Sequence, residues 1–515
     1  MTTHPANLTK FINLERLKLF SIKTLIQQSI MLVLISIFLI CLWLLSISKP
    51  KCFPPGPPWK PFVGSRPDFQ RAMEKTGYQH AAFSLLASEW KTNVLGLKLG
   101  NEMVVSVEDF PTIEMVLNSR DYDQRPTNFF FKLRNFGTSK GITCAHGELW
   151  SNQRKFLSRY LNVITTKELD LNINREVQNL FQELESSKSV NIMDLLRYTV
   201  FNILWSIVAG KRVCSKVFEK NQLMGIMARR TKAFDMAGGI LSQYPWLRFF
   251  IPERSGYSLI KNLNREMKAF LVETIDDHRR TWVKGSESDF IHSYISKMKE
   301  EHDEHFTDEQ LFFVCLDLFI GGFSTTALTL GFIFLTMVRH QDVQSKIQKM
   351  LDQHFEDGHQ WEYQDRYKVP YVEAVIKEIQ RHKSISPIFG PRATARDTQL
   401  NGYTIPKGTT VLLNMQPTWM SEEIWGDPEE FRPERFLDER GQMANGSKFV
   451  PFGIGRRKCP ADSFAQRSLF VIVTKLLKQY RVLPVDEDNP PSMKPIPGML
   501  LSPTQYLCRF ERRTK

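Results

Sequence analysis

No CxxC pair occurs in the chain, and its seven cysteines lie far apart, at Cys41, Cys52, Cys144, Cys214, Cys315, Cys459 and Cys508. Such scatter argues against a disulfide framework or a zinc site, and for a reducing compartment. Acidic residues are outnumbered, 55 against 68 basic ones, and the formal net charge of +13 suits anionic lipid or an acidic protein surface as partner. A basic tail interleaved with aromatics is missing, so no nucleic-acid partner is expected. Internal repeats and low-complexity linkers are missing too. What remains, with 42% hydrophobic and 24% charged residues over 515 positions, is a globular chain with ample material for a core.

The clearest uncharged apolar run is IMLVLISIFLICLWLLSIS, residues 30–48, long enough to cross a bilayer. Lys49 and Lys51 follow it, and then CFPPGPPWKP, whose prolines forbid helix continuation and stiffen the chain. The expected order is an extension (1–29), a membrane anchor (30–48), a proline-rich hinge (49–63) and a body (64–515). A cleaved signal peptide fits poorly, because no small-residue cleavage site precedes the prolines. The extension carries Lys10, Arg16, Lys18 and Lys23 against Glu15. That charge resembles a mitochondrial transit peptide and opposes the orientation that leaves the body cytosolic. Translation beginning at Met31 would remove both conflicts, and N-terminal sequencing of the native protein tests it.

Within the body, VLGLKLGNEMVVSV alternates and turns at Gly100-Asn101, which predicts a hairpin, and TQLNGYTIPKGTTVLLNM (398–415) reads likewise. Helical patterns dominate elsewhere, so the fold class is mainly α with small β-sheets. The segment 307–341 opens with a capping box, Thr307 followed by Gln310, and is then apolar all round. Asp317 and the cluster Gly321-Gly322-Phe323-Ser324-Thr325-Thr326 would be awkward in lipid. We therefore expect a core helix whose polar middle is bent by serine and threonine bonding back to the preceding turn. Something reactive should dock against it.

FVPFGIGRRKCPA (449–461) places Cys459 after Arg456, Arg457 and Lys458 and before Pro460. Cationic neighbours and a helix N-terminus lower a thiol's pKa, so Cys459 reads as a thiolate, either nucleophile or metal ligand. Three features elsewhere bear on the choice. KEIQRH supplies Glu378 and Arg381 on one helix face, and FRPERF adds Arg435 as a second guanidinium for Glu378. GELWSNQRKF puts Trp150 and Arg154 four residues apart, an indole and a cation able to grip an anionic group.

In this order, Trp-x-x-x-Arg, GG-x-S-T-T, Glu-x-x-Arg, FRPERF and the cysteine loop, the chain resembles the cytochrome P-450 family over essentially its whole length. GELWSNQRKF, FVPFGIGRRKCP and YPWLRFFIP look most like microsomal animal members, particularly insect ones. The resemblance implies the cytochrome P-450 fold with an N-terminal membrane anchor helix, and residues 64–515 as the haem-thiolate catalytic domain. It implies haem b, with Cys459 as axial ligand of the iron and electron push favouring O–O cleavage. Phe452 would shield the sulfur, and Gly455 would let the backbone approach the porphyrin. Arg457, Arg154, Arg392 and the Trp150 indole N–H would meet the propionates. Pro460 would open the following helix, whose dipole favours the thiolate. The implied activity is monooxygenation of a lipophilic molecule such as a steroid or terpenoid. Electrons would come from NADPH through cytochrome P-450 reductase, with cytochrome b5 as a second candidate donor. The implied location is the endoplasmic-reticulum membrane rather than the mitochondrion, with the body cytosolic.

Two positions depart from the family pattern. Ala461 replaces the usual glycine two residues after the cysteine, a small change. Ser324 replaces the acid that usually precedes Thr325. The acid–alcohol pair relays protons during oxygen activation, and serine brings no charge, although its hydroxyl can orient water. A hydroperoxide isomerase or dehydratase of the same fold is therefore the alternative, and a non-catalytic membrane haem protein the third class. Phe129, Phe130, Phe131, Phe319, Phe323, Ile388 and Leu500 are expected on the distal side, where an apolar pocket suits a lipophilic substrate. Arg456, Lys458 and Lys155 are expected to steer the reductase. The segment 238–252 is expected to touch the bilayer.

Overall fold

The structure, a computed structural model, describes residues 27–45, 47–164, 167–185, 189–213, 225–226, 229, 239–301, 303–444 and 448–513. The basic residues of the N-terminal extension, Cys214 and Gly238 lie outside that set. The fold is mainly helical with small sheets. Among the described residues nine strands run β1 Val94–Leu99, β2 Glu102–Val107, β3 Val190–Asn191, β4 Ile388–Ala393, β5 Thr398–Leu400, β6 Tyr403–Ile405, β7 Thr410–Asn414, β8 Tyr480–Pro484 and β9 Leu507–Arg512.

The predicted hairpin is β1–β2, turning through Gly100 at φ 61°, where the absence of a side chain relieves the left-handed conformation. The second apolar segment forms the β5–β6 hairpin and then β7. The main sheet has the order β1-β2-β7-β4. Its β2–β7 pairing is parallel, Val104 opposite Thr410 and Val107 opposite Leu413, whereas β1–β2 and β4–β7 are antiparallel. In β4 the register slips between Phe389 and Arg392, a bulge that bends the strand and re-aims the side chains beyond it.

Asp308–Arg339 is one continuous helix through the largest core cluster, with 72% of its most apolar window buried. It packs on the helices Ile192–Ala209, Tyr257–Thr281, Pro370–His382 and Asp462–Gln479. Its start is half of the expected capping box. Thr307 accepts the Gln310 N–H at 3.2 Å, but the Gln310 side chain turns away and pairs both polar groups of Gly141 instead, at 3.1 and 3.0 Å. By contrast, the helix Gln27–Leu45 is long and apolar enough to cross a membrane and none of its most apolar window is buried.

The proline segment lies against the sheet. Gly96 N–H donates to Pro55 O at 2.8 Å, Thr404 N–H to Cys52 O at 2.8 Å, and Phe53 and Trp59 enter a core cluster.

Candidate active site

The cysteine loop is a set of nested turns. Gly453 N–H donates to Val450 O at 2.9 Å, Lys458 N–H to Gly455 O at 3.3 Å and Cys459 N–H to Phe452 O at 2.9 Å. Gly453 and Gly455 both take positive φ, 70° and 72°. A methyl at Gly455 would collide with the Leu117 carbonyl oxygen, so a contact within the protein also requires glycine there. Pro460 does not open the next helix, because Ala461 is the N-cap and the helix starts at Asp462. Burial pushes the Cys459 thiol up, while the Ala461 N–H, Arg154 and Lys458 pull it down less strongly. The cationic neighbours are thus present but burial outweighs them, and a ligated cation would offset that penalty.

Cys459 borders two adjoining cavities of about 330 and 220 Å³, which share Arg125, Gly321, Gly322, Arg457, Ala461 and Phe464. Three guanidiniums converge there. Arg457 donates to Ile142 O at 3.3 Å and Ala145 O at 2.8 Å and lies 3.9 Å from the Trp150 ring centroid, so Trp150 is a plate beneath Arg457. Arg392 follows the β4 bulge into the larger cavity. Arg125 was not foreseen; it donates to the two carbonyls at the bulge, Gly390 O at 2.9 Å and Pro391 O at 2.6 Å. Burial pulls Arg392 down to about 8, Arg457 to about 9 and Arg125 to about 10. An arginine keeps its proton, so these are buried cations that a nearby anion would stabilise. Buried nitrogens without a partner remain on all three: Arg125 Nε, Arg392 Nε and Nη1, and Arg457 Nε. Arg154 borders the smaller cavity beside Cys459.

Thr325 lines the larger cavity with its hydroxyl donating back to Gly321 O at 2.7 Å, and Thr326 and Thr329 line it as well. Ser324, half-buried, lines neither. The residues expected to form a distal pocket are elsewhere. Phe319 and Phe323 pack on Phe201 in the helical core, Phe130 and Phe131 cluster with Leu241 and Ile260, and Ile388 sits under the sheet. Phe129 packs against that second cluster and Leu500 against the helical core. Aromatic and aliphatic side chains satisfy a core as readily as a pocket, so their sequence carried no distinction. The larger cavity is lined instead by Leu117, Ile385, Phe389, Ser384 and Ser386.

Glu378, Arg381 and Arg435 meet as their spacing implied. Arg381 grips Glu378 through two bonds of 2.8 Å, and Arg435 Nε donates to Glu378 Oε1 at 3.1 Å. Both guanidiniums also bind carbonyls of the following loop, Arg381 at Trp419 O and Pro428 O, Arg435 at Trp425 O and Asp427 O. The triad is a fastener for residues 419–436, with no part in the cavities.

Residues 54–510 match the family described as Cytochrome P450. The chain belongs to that family. Among its relatives, "Probable cytochrome P450 305a1" of Drosophila melanogaster is 36% identical over 485 residues, covering 91% of this chain and 96% of the relative. "Farnesoate epoxidase" of Bombyx mori is 32% identical over 466 residues, covering 90% and 94%. Mouse "Cytochrome P450 2J5" is 29% identical over 485 residues, covering 92% and 94%.

A cytochrome P450 is a haem-thiolate monooxygenase, and this chain has room and chemistry for that cofactor. Arg125, Arg392 and Arg457, each with a buried unpartnered nitrogen, line a cavity that has no carboxylate among its lining residues, which suits a dianionic group. Arg125 stands before Pro126 in an irregular stretch, and no spacing rule singles it out. Only the bulge, formed by a strand more than 260 residues away, shows its place.

Proposed function

We propose that this cytochrome P450 inserts one oxygen atom from O2 into a lipophilic small molecule of steroid or terpenoid type, with Cys459 as the thiolate ligand of haem b. The observation that carries the reading is the Cys459 thiol bordering both cavities beside a cluster of anion-seeking arginines. In this reading Arg125, Arg154, Arg392 and Arg457 hold the propionates, with Trp150 supporting Arg457, and Phe452 lies in the cavity wall beside the sulfur. Bound haem supplies oxygen activation. The protein's part is to orient the substrate, exclude bulk water and hold a proton path, with Thr325 at the cavity wall and Ser324 behind it. The terpenoid class draws support from the Bombyx relative named for its action on farnesoate.

Electrons come from NADPH through cytochrome P-450 reductase, with cytochrome b5 as a second donor. Arg456 and Lys458 are exposed beside the cysteine loop, although each already has an acidic neighbour, Asp123 at 2.6 Å and Asp462 at 3.1 Å. They offer a mixed-charge docking face, and charge reversal there should slow reduction without altering substrate binding. In this reading the Gln27–Leu45 helix, long and apolar enough to cross a membrane, anchors the chain in the endoplasmic reticulum with the body facing the cytosol. Trp246, Phe249 and Phe250 are exposed by 53, 71 and 75%, and support a second membrane contact. Arg66, just after the proline segment, bonds Gln243 at 2.7 Å and so ties the end of the hinge to the segment that carries this patch.

Purified protein given steroids, sesquiterpenoid esters and fatty acids tests the reading. Products gaining one oxygen only with NADPH, reductase and O2 are expected. Isomerised or dehydrated products from an organic hydroperoxide alone would favour the second reading, which the loss of a carboxylate at Ser324 supports.

A further inference from the structure

Asp317 lies two turns before Thr325 on the central helix and lines the smaller cavity. Its Oδ2 accepts the backbone N–H of Ile142 at 2.6 Å and of Thr143 at 2.8 Å. Gly141, at φ 83°, passes so close that a methyl there would strike this same oxygen. The loop around Gly141 is sewn to the same helix elsewhere, through Gln310 at Gly141 and an ion pair between Lys140 and Glu309. Its next carbonyls, Ile142 O and Ala145 O, receive the Arg457 guanidinium at 3.3 and 2.8 Å. One short loop therefore takes its position from the central helix and passes it to the cysteine loop.

Asp317 is a carboxylate at a helix–loop contact where an apolar residue would leave two backbone N–H groups without a partner. Two backbone N–H groups on one carboxylate oxygen give a charge-assisted, directional clamp. Arg457 depends on it, because two of its terminal nitrogens are aimed at the clamped loop, leaving Nε unpartnered at the cavity. We propose that Asp317 is a positioning residue for Arg457, acting through the Gly141–Ala145 loop to set where the guanidinium charge stands at the cofactor edge. The inference rests on the reading that Arg457 faces a haem propionate.

The test uses the haem-loaded full chain and two readouts besides turnover: the rate of haem loss to an acceptor protein, and the reduction potential of the iron. Arg457→Lys checks the parent reading, and no change in either readout would sink that reading alone. If Arg457→Lys speeds haem loss, Asp317→Ala should speed it about tenfold and shift the potential in the same direction. Asp317→Asn, which keeps an acceptor oxygen, should recover most of both effects, and Gly141→Ala should reproduce the Ala phenotype from the loop side. Asp317→Ala on the Arg457→Lys background should then add little. Equal additional loss on that background, or a lowered melting temperature with neither readout moved, would make Asp317 merely structural and overturn the proposal. Should Asp317→Ala fail to fold, the Asn and Gly141→Ala variants decide by the same comparison.

Discussion

Replacing Glu378 by alanine removes a carboxylate that accepts four hydrogen bonds, two from Arg381, one from Arg435 and one from the Arg432 N–H. The side chains of Glu378 and Arg381 are 0% exposed and that of Arg435 is 4% exposed, so two guanidiniums would stay behind without their counter-charge. Breaking such a buried pair from one side costs about 3–5 kcal/mol. The lower end applies here, because Trp419, Pro428, Trp425 and Asp427 carbonyls still accept from both arginines. A loss of about 3 kcal/mol is roughly a hundredfold in the opening equilibrium. Urea titration gives the global value, and hydrogen exchange of amides 419–436 gives the local one. A second variant sharpens the logic: Glu378→Leu combined with Arg381→Met and Arg435→Met removes all the charges and should lose less than Glu378→Ala alone. A loss below about 1 kcal/mol for Glu378→Ala, the level of an exposed pair, would refute the view of the triad as a buried fastener.

Arg125→Leu should weaken haem retention and free the carbonyls of Gly390 and Pro391, measured as cofactor loss and as faster exchange near the β4 bulge. Ser324→Asp should raise the fraction of NADPH converted to product rather than to peroxide, by a few fold, if the missing charge limits proton delivery. His278 has both ring nitrogens against carbonyls, Thr274 O at 2.7 Å and Ala209 O at 3.1 Å, with Asp289 at 3.5 Å and His292 beyond it. Burial pulls His278 down, but Asp289 and the carbonyls outweigh it and the net shift is upward. Its contribution is therefore complete below the unfolded value, about 6.5, and is lost as pH rises through the folded value. The slope of urea midpoint against pH above about 6.5 should flatten in His278→Gln. Phe249→Asp with Phe250→Asp should lower binding of the body to anionic vesicles after deletion of residues 1–48, read by flotation.

Much of the frame was readable because it rests on local rules. The β1–β2 turn followed from Gly100-Asn101, the buried long helix from an apolar run carrying Asp317, and the Glu378–Arg381 pair from three-residue spacing. What failed to be legible depends on partners distant in sequence. Gly455 is constrained by Leu117, Gln310 is drawn from its cap by Gly141, and Arg125 waits on a bulge in another strand. The cationic neighbours of Cys459 are legible in its loop, whereas the burial that pushes the thiol up is set by distant parts of the chain. The distal-side residues were expected from the segments they occupy in the resembling family, and an apolar side chain in such a segment serves a wall or a core equally well.

The parallel join between β2 and β7 also imposes an order of birth. Val104 must wait for Thr410, about 300 residues later, before the main sheet can close. A ribosome making this chain therefore releases the hydrophobic Gln27–Leu45 segment long before its sheet has a second half. Through most of synthesis the β1–β2 hairpin has one unpaired edge, the kind of surface that invites wrong partners. Chaperone occupancy on arrested nascent chains should accordingly persist until residue 414 has left the exit tunnel, and then fall in a single step.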